Sequence, residues 1–190
     1  MFSEEYYKSN NYTDYLARGD RYQKLANETL DLLDQLSLPH KIVCDFGCAV
    51  GHLLPALDKR STYSYGTDIS EYALDVCKEK KLNVRLEPKW DMNHDLVYSL
   101  DVFEHMQVEE LNEFFDKIKS NVIIFRMPVC AREGGDYVLE VSRRDPTHTI
   151  RWTKEQWSDY FKRYGYHCLE LNLHTIYNSE GVYSGLAIQV

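Results

Sequence analysis

Apolar residues recur along this chain with two different periods. Tyr22, Leu25, Ala26, Thr29, Leu30 and Leu33 fall three and four apart, the spacing that lines one face of a helix. That helix runs to about Leu36, and Pro39 blocks its continuation. From residue 41 onward, short apolar runs alternate with amphipathic stretches. KIVCDF (41–46), TYSYGTD (62–68), LNVRLE (82–87), DLVYSLDV (95–102) and NVIIFRMP (121–128) read as strands. GHLLPALDKR (51–60), SEYALDVCKEKK (70–81) and QVEELNEFFDKIKS (107–120) read as helices. Ser70 is the expected N-cap of the second, and Leu111, Phe114, Phe115 and Ile118 share one face of the third. Apolar strands separated by helices predict an α/β fold, a mostly parallel sheet covered on both faces.

The rhythm changes in the last third. Residues 129–150 show no period and contain REGGD and RRDPTH, so most of this stretch is expected to be loop. Thr153 and Gln156 form a capping box for a helix over 154–164, which Gly165 ends. YHCLELNLHTIY and VYSGLAIQV flank the turn-rich NSEG and predict an antiparallel hairpin closing the sheet.

A length of 190 residues fits one domain, and 44% hydrophobic residues fit a globular one. No apolar run approaches the roughly 20 residues of a membrane helix. MFSEEYYKSNNY lacks the basic start and apolar centre of a signal peptide, so the cytosol is the expected compartment. A net charge of −8 with scattered Lys and Arg argues against DNA, non-specific nucleic-acid binding and anionic membranes. It leaves open an RNA end held by a local patch. Five cysteines, an odd number with no C-x-x-C pair, read as free thiols rather than disulfides or a zinc knuckle.

The chemistry begins at VCDFGCAVGHLL (43–54). A buried strand stops at an acid, and Gly47 and Gly51 follow with Cys48, Ala49 and Val50 between them. Ligands of open parallel sheets sit beyond the C-terminal strand ends. Dinucleotide sites use G-x-G-x-x-G, and an acid pointing at a pyrophosphate would be repelled. Asp45 instead favours a ligand carrying an amino group.

VCDFGCAVG resembles motif I, D-x-G-x-G-x-G, of class I S-adenosylmethionine (SAM) dependent methyltransferases, with Ala49 in place of the second glycine. The family's ribose-binding acid is matched by Asp68 in YGTDIS, since a carboxylate accepts two hydrogen bonds from a cis-diol. DLVYSLDVFEHM and DPTHTIRWTKEQWSDYFKRYGY are similar to later motifs of the small-molecule O-methyltransferases of the ubiquinone-biosynthesis type. The resemblance spans about residues 40–190 and implies a three-layer Rossmann-like methyltransferase sheet. It implies SAM as cofactor, held by Asp45, Gly47, Cys48, Gly51, Asp68 and Ile69. Trp90 would wall the adenine pocket, and Asp91 would accept from the adenine amine. Arg18 or Arg21 would meet the cofactor's carboxylate. Residues 1–38, with Tyr6, Tyr7, Tyr12, Tyr15 and Tyr22, would form a helical cap.

LDVFEHMQ places Asp101, Glu104 and His105 after the fourth strand, at spacings that share a face if the backbone turns helical. The pattern resembles the metal-binding acid-x-x-Glu-His of ubiquinone-type O-methyltransferases and of small-RNA 2′-O-methyltransferases. His148 in DPTHT would supply a further ligand for Mg²⁺ or Mn²⁺. Without metal, His105 and His148 are the candidate general bases. His94 reads as a loop residue, and His40, His52, His167 and His174 receive no role. The fourth strand is not followed by the Asn/Asp-Pro-Pro-aromatic motif of amino-adenine DNA methyltransferases.

The expected function is methyl transfer from SAM to a hydroxyl of a small molecule or sugar. The acceptor pocket is assigned to 129–152, with Arg126 just before it on the fifth strand and Arg132, Arg143, Arg144 and Arg151 within it. N-methylation, RNA-end 2′-O-methylation, a non-catalytic SAM-binding partner module and an NAD-dependent oxidoreductase are the alternatives. The last is disfavoured by Asp45 and the glycine spacing.

Overall fold

A computed structural model describes residues 2–8 and 14–190, so Tyr12 lies outside the described residues. The chain divides into two compact units, Met1–Tyr98 and Ser99–Val190.

In the first unit, a short helix α1 (Glu4–Tyr7) and a 3-10 turn (Tyr15–Ala17) precede the long helix α2 (Gly19–Gln35). Strand β1 (Ile42–Phe46), helix α3 (Leu54–Arg60), strand β2 (Tyr63–Thr67), helix α4 (Glu71–Glu79) and strand β3 (Val84–Arg85) follow. Strand β4 (Asn93–Leu100) runs into the second unit. There a 3-10 turn (Phe103–His105) leads to α5 (Val108–Lys117), β5 (Lys119–Pro128), α6 (Glu140–Arg144), α7 (Lys154–Arg163), β6 (Tyr166–Glu170) and β7 (Val182–Gln189).

The seven strands follow the order β3-β2-β1-β4-β5-β7-β6, mostly parallel with antiparallel C-terminal strands. β1 pairs in parallel with β2, setting Asp45 opposite Gly66, and β2 pairs in parallel with β3. β7 pairs antiparallel with both β5 and β6. Gly185 on β7 faces Phe125 on β5, and a Cβ there would lie 2.2 Å from the ring, so no larger residue fits. Phe125 in turn stacks on Phe161 of α7 at 4.6 Å, at the centre of the second unit's core. In the first unit the buried Tyr98 hydroxyl lies 2.7 Å from Thr29 on α2, which gives both polar groups a partner. Among the described residues, no helix is long and apolar enough to cross a membrane.

Two of the expected caps are built as read. Ser70 accepts from the Ala73 amide at 3.1 Å, and Thr153 and Gln156 complete a reciprocal capping box. Several boundaries differ. α3 starts at Leu54 because Gly51 (φ 75°) is left-handed and still part of the turn. β3 is reduced to two residues. The expected strand over 166–177 stops at Glu170, where the Asn178 side chain bonds Leu171 O and Ser184 O, each at 2.8 Å, in place of a strand ladder. His94, read as a loop residue, is buried on β4 with Nε2 2.7 Å from the Tyr65 hydroxyl.

Candidate functional site

The turn after β1 is built by three residues in the left-handed region: Gly47 (φ 74°), Ala49 (φ 46°) and Gly51 (φ 75°). These are the three glycine positions of the motif. Gly47 N–H and Cys48 N–H both donate to the Thr67 carbonyl at 2.8 Å, which ties the loop to the end of β2. Gly51 N–H closes the turn on Cys48 O at 2.9 Å. A Cβ on Gly51 would meet Leu82 at 2.6 Å and Cys77 Sγ at 2.9 Å. The Ala49 methyl group is accommodated, packing with Tyr7, Val50 and Ala73.

Asp68, just past β2, accepts from Ala49 N–H through Oδ2 and from Ser70 N–H through Oδ1, both at 2.8 Å. One carboxylate therefore orders both the glycine turn and the start of α4. The Ile69 N–H also bonds this carboxylate. Burial raises the Asp68 pKa above the ordinary carboxylate value against these backbone bonds. Asp45 is 3% exposed. Burial, then the charge of Asp68, pushes its pKa up to about 8. No ion pair among the described residues engages Asp45. Two close acids with raised pKa values form a site that a cationic ligand relieves, and this fits SAM, which carries an ammonium, a sulfonium and a ribose diol.

The N-terminal segment packs on this turn. Phe2 O accepts from Ser70 Oγ at 2.5 Å, and Tyr7 is buried beside Ala49. Tyr7 stacks near Tyr15 at 5.9 Å, and Tyr22 stacks on His52, whose Nε2 lies 2.9 Å from Tyr15 O. His52, given no role from sequence, thus anchors the aromatic cluster. Ile69 is 69% exposed, Trp90 is half-buried, and Asp91 and Arg21 are exposed. Cys48 is buried in the turn, with Sγ 3.6 Å from Ala49 O.

The second unit carries the acid–His cluster. Glu104, His105 and His148 bring one ligand atom each to within 4.8 Å of one another. Asp101 is not in this group. It sits in the left-handed region (φ 56°), donates its N–H to Arg126 O at 2.7 Å, and pairs its carboxylate with the Arg126 guanidinium. The expected four-ligand set is therefore a trio of one carboxylate and two imidazoles.

Glu104 is 1% exposed, and its Oε2 is buried with no hydrogen-bond partner among the described residues. Burial and the nearby Asp101 charge push its pKa well above the ordinary value. The His105 and His148 rings lie 4.5 Å apart. Burial and His148 lower the His105 pKa to about 4, and burial lowers that of His148, so both are neutral near pH 7. An orphaned buried carboxylate oxygen beside two neutral imidazoles fits a divalent cation or a ligand hydroxyl.

Sequence reading missed Asp145 and Thr147. Thr147 Oγ1 lies 2.8 Å from His105 Nδ1 and 2.5 Å from Asp145 Oδ1. Asp-Pro-Thr, a turn former, was the available signal. Three arginines of the assigned acceptor loop are engaged locally. Arg143 donates to Tyr137 O at 3.0 Å, Arg144 pairs with Glu140, and Arg151 lies 3.4 Å from Asp136.

A family model described as a methyltransferase domain matches residues 17–178. No curated protein matches the sequence. Many solved structures share the fold. A SAM-dependent methyltransferase from Clostridium acetobutylicum ATCC 824 aligns with a TM-score of 0.70 at 15% identity, covering 98% of this chain and 99% of that one. Magnesium protoporphyrin IX methyltransferase (ChlM) from Synechocystis PCC 6803, with bound SAM, gives 0.60 at 18% identity, covering 90% and 80%. The methyltransferase domain of bacterial CtHen1-C gives 0.62 at 20% identity, covering 89% and 98%.

Proposed function

We propose, from the premise that this chain belongs to the methyltransferase-domain family and is a class I SAM-dependent methyltransferase, that it methylates a hydroxyl of a small molecule or sugar. The observation that carries the hydroxyl reading is the trio of buried Glu104 with the partly buried His105 and His148. An amine acceptor arrives with a lone pair and needs only to be neutral. A hydroxyl must lose its proton, and a neutral imidazole is suited to take it.

On this reading Asp68 accepts from the ribose hydroxyls and Asp45 faces the cofactor's ammonium. Gly47, Cys48 and Gly51 shape the turn against which the cofactor lies. Ile69 and Trp90 flank the adenine, Asp91 accepts from its amine, and Arg21 meets the carboxylate. The segment through Tyr7 covers the turn. When bound, SAM supplies an electrophilic methyl on a sulfonium whose leaving group is already good, so positioning carries much of the rate. His105 and His148 hold and deprotonate the acceptor hydroxyl, and Glu104 accepts from it or balances charge.

Glu104, His105 and His148 could also hold a divalent ion, which would lower the pKa of a bound hydroxyl. With Asp101 committed to Arg126, the donor set suits Mn²⁺ better than Mg²⁺, which prefers all-oxygen octahedral sites. Kinship with the ubiquinone-type O-methyltransferases belongs to this same proposal.

The test is methyl transfer from radiolabelled SAM to a panel of phenols, sugars, amines and short RNAs, with Mn²⁺ or with EDTA. The reading expects oxygen-methylated small molecules, with turnover reduced at least 100-fold in His105→Ala. Methylation confined to amines, or salt-sensitive methylation confined to RNA ends, would overturn it.

A further inference from the structure

Two thiols meet beside the glycine turn. Cys48 sits in the turn itself, and Cys77 lies near the end of α4. Both side chains are buried, with the residues 5% and 0% exposed. Cys48 Sγ is 3.6 Å from the Ala49 carbonyl oxygen and Cys77 Sγ is 3.3 Å from it, so both sulfurs crowd one acceptor. The two thiols also hydrogen-bond each other. Bare glycine backbone makes room for them. A Cβ on Gly66 would come within 2.6 Å of Cys48 Sγ, and one on Gly51 within 2.9 Å of Cys77 Sγ.

The surroundings make the two thiols unequal. Lys80 Nζ donates to Val50 O at 3.1 Å, which holds an ammonium between the turn and the end of α4. The Cys48 hydrogen bond, and then the Lys80 charge, hold the Cys77 pKa below the ordinary thiol value against burial. The same bond and then burial push Cys48 the other way. Burial also raises Cys44, Cys130 and Cys168. A thiolate is the nucleophile of sulfur chemistry, so Cys77 is the reactive member and Cys48 its resolving partner.

We propose that Cys48 and Cys77 form a redox-sensitive pair, which a hydroperoxide converts to a disulfide that distorts the cofactor turn and weakens SAM binding. In the first step the Cys77 thiolate attacks one peroxide oxygen. The O–O bond breaks, Cys77 becomes a sulfenic acid, and the departing hydroxide takes up the thiol proton as water. In the second step Cys48 sulfur attacks Cys77 sulfur. The S–S bond forms, the S–O bond breaks, and the Cys48 proton leaves with the hydroxide as a second water. Together the thiols lose two electrons, and the peroxide gains them. Because both side chains are buried, oxidation proceeds through local opening of the turn, and SAM should slow it by holding the turn closed.

The effect on the turn is geometric. A disulfide draws the two sulfurs to about 2 Å, closer than a hydrogen-bonded thiol pair. Cys77 is carried by a helix, so the displacement falls on the turn. Cys48 N–H donates to Thr67 O, and Ala49 N–H donates to Asp68 Oδ2, both at 2.8 Å. Moving Cys48 strains both bonds, and the second one orients the carboxylate assigned to the ribose.

The effect on binding rests on the cofactor reading, but the disulfide itself is read separately. The full chain is treated with hydrogen peroxide, with and without SAM, and free thiols are then blocked with iodoacetamide. Tandem mass spectrometry locates the linkage, and calorimetry gives SAM affinity before oxidation, after it, and after dithiothreitol. The expected result is a Cys48–Cys77 linkage that forms more slowly with SAM present. Affinity should fall about tenfold, as on losing a turn hydrogen bond, and return on reduction. Cys77→Ser keeps a donor for Ala49 O, so it should bind SAM like the wild type and hold that affinity after peroxide. A reduced wild type that binds SAM but forms no Cys48–Cys77 linkage overturns this proposal alone. So does a linkage that leaves SAM affinity unchanged, or an equal loss of affinity in folded Cys77→Ser. A reduced wild type that binds no SAM fails the cofactor reading, and the proposed effect on binding falls with it.

Discussion

At the scale of single residues, the glycine turn shows why one motif position tolerates alanine and another does not. Positions 47, 49 and 51 all have positive φ, which costs a residue with a Cβ about 1–2 kcal/mol. At Ala49 that cost is partly offset, because its methyl packs with Tyr7 and Ala73 and a buried methyl contributes roughly 0.8 kcal/mol. At Gly51 nothing offsets it, and the Cβ would also collide with Leu82 and Cys77. Gly51→Ala should therefore lose about 2–4 kcal/mol in urea unfolding, from the backbone cost plus overpacking. Ala49→Gly should change stability by less than about 1 kcal/mol, since strain relief opposes lost packing and added chain entropy. Equal losses in the two variants would contradict this account. The departure at Ala49 was visible in the sequence; its φ and its packing were not, since both depend on the N-terminal segment folding back. Asp101 illustrates the same limit. Its spacing to Glu104 and His105 suits a shared face, but Arg126, 25 positions downstream, takes its carboxylate.

At the scale of elements, local chemistry was legible wherever it sits within a few residues. Ser70 and the Thr153–Gln156 box are read from adjacent side chains and are built as expected. The box opens α7, whose Trp157 and Phe161 are fully buried in the second unit's core. Thr153→Ala should cost about 1 kcal/mol in unfolding free energy, and Thr153→Ser should restore most of it. No loss on Thr153→Ala would mean the cap is redundant. Elements set by distant contacts were misread. The strand expected to reach residue 177 ends at Glu170 because a side-chain amide from Asn178 takes over its backbone partners. His94 was read as loop because it lies beside Asn93 and Asp95, yet Tyr65 from β2 gives it a buried partner. Helix α6, five residues inside an aperiodic stretch, is too short to register as a period.

At the scale of the whole molecule, the chemistry divides by unit. The glycine turn, Asp45 and Asp68 belong to Met1–Tyr98, and Glu104, His105 and His148 belong to Ser99–Val190. That partition follows the motif order in the sequence, so the identities of the candidate residues were legible early. Their electrostatics were not, because burial sets them. Asp45, with its pKa raised to about 8, binds a proton in the ligand-free fold that an exposed aspartate would have lost. Its contribution to stability is full below the ordinary carboxylate range and is lost as pH rises through about 8. A cationic ligand favours the ionised form, so binding below pH 8 must release that proton, and affinity rises with pH.

The most direct measurement is calorimetric titration of the full chain with SAM at pH 6.0 and 7.5, on wild type, Asp68→Ala and Asp45→Asn. The account predicts micromolar binding by the wild type that tightens with pH, by up to about tenfold per unit, with proton uptake by the buffer. Asp68→Ala should lose most of the affinity, and Asp45→Asn should lose the pH dependence. Absence of SAM binding by the wild type, or undiminished binding by Asp68→Ala, would contradict the cofactor site described above.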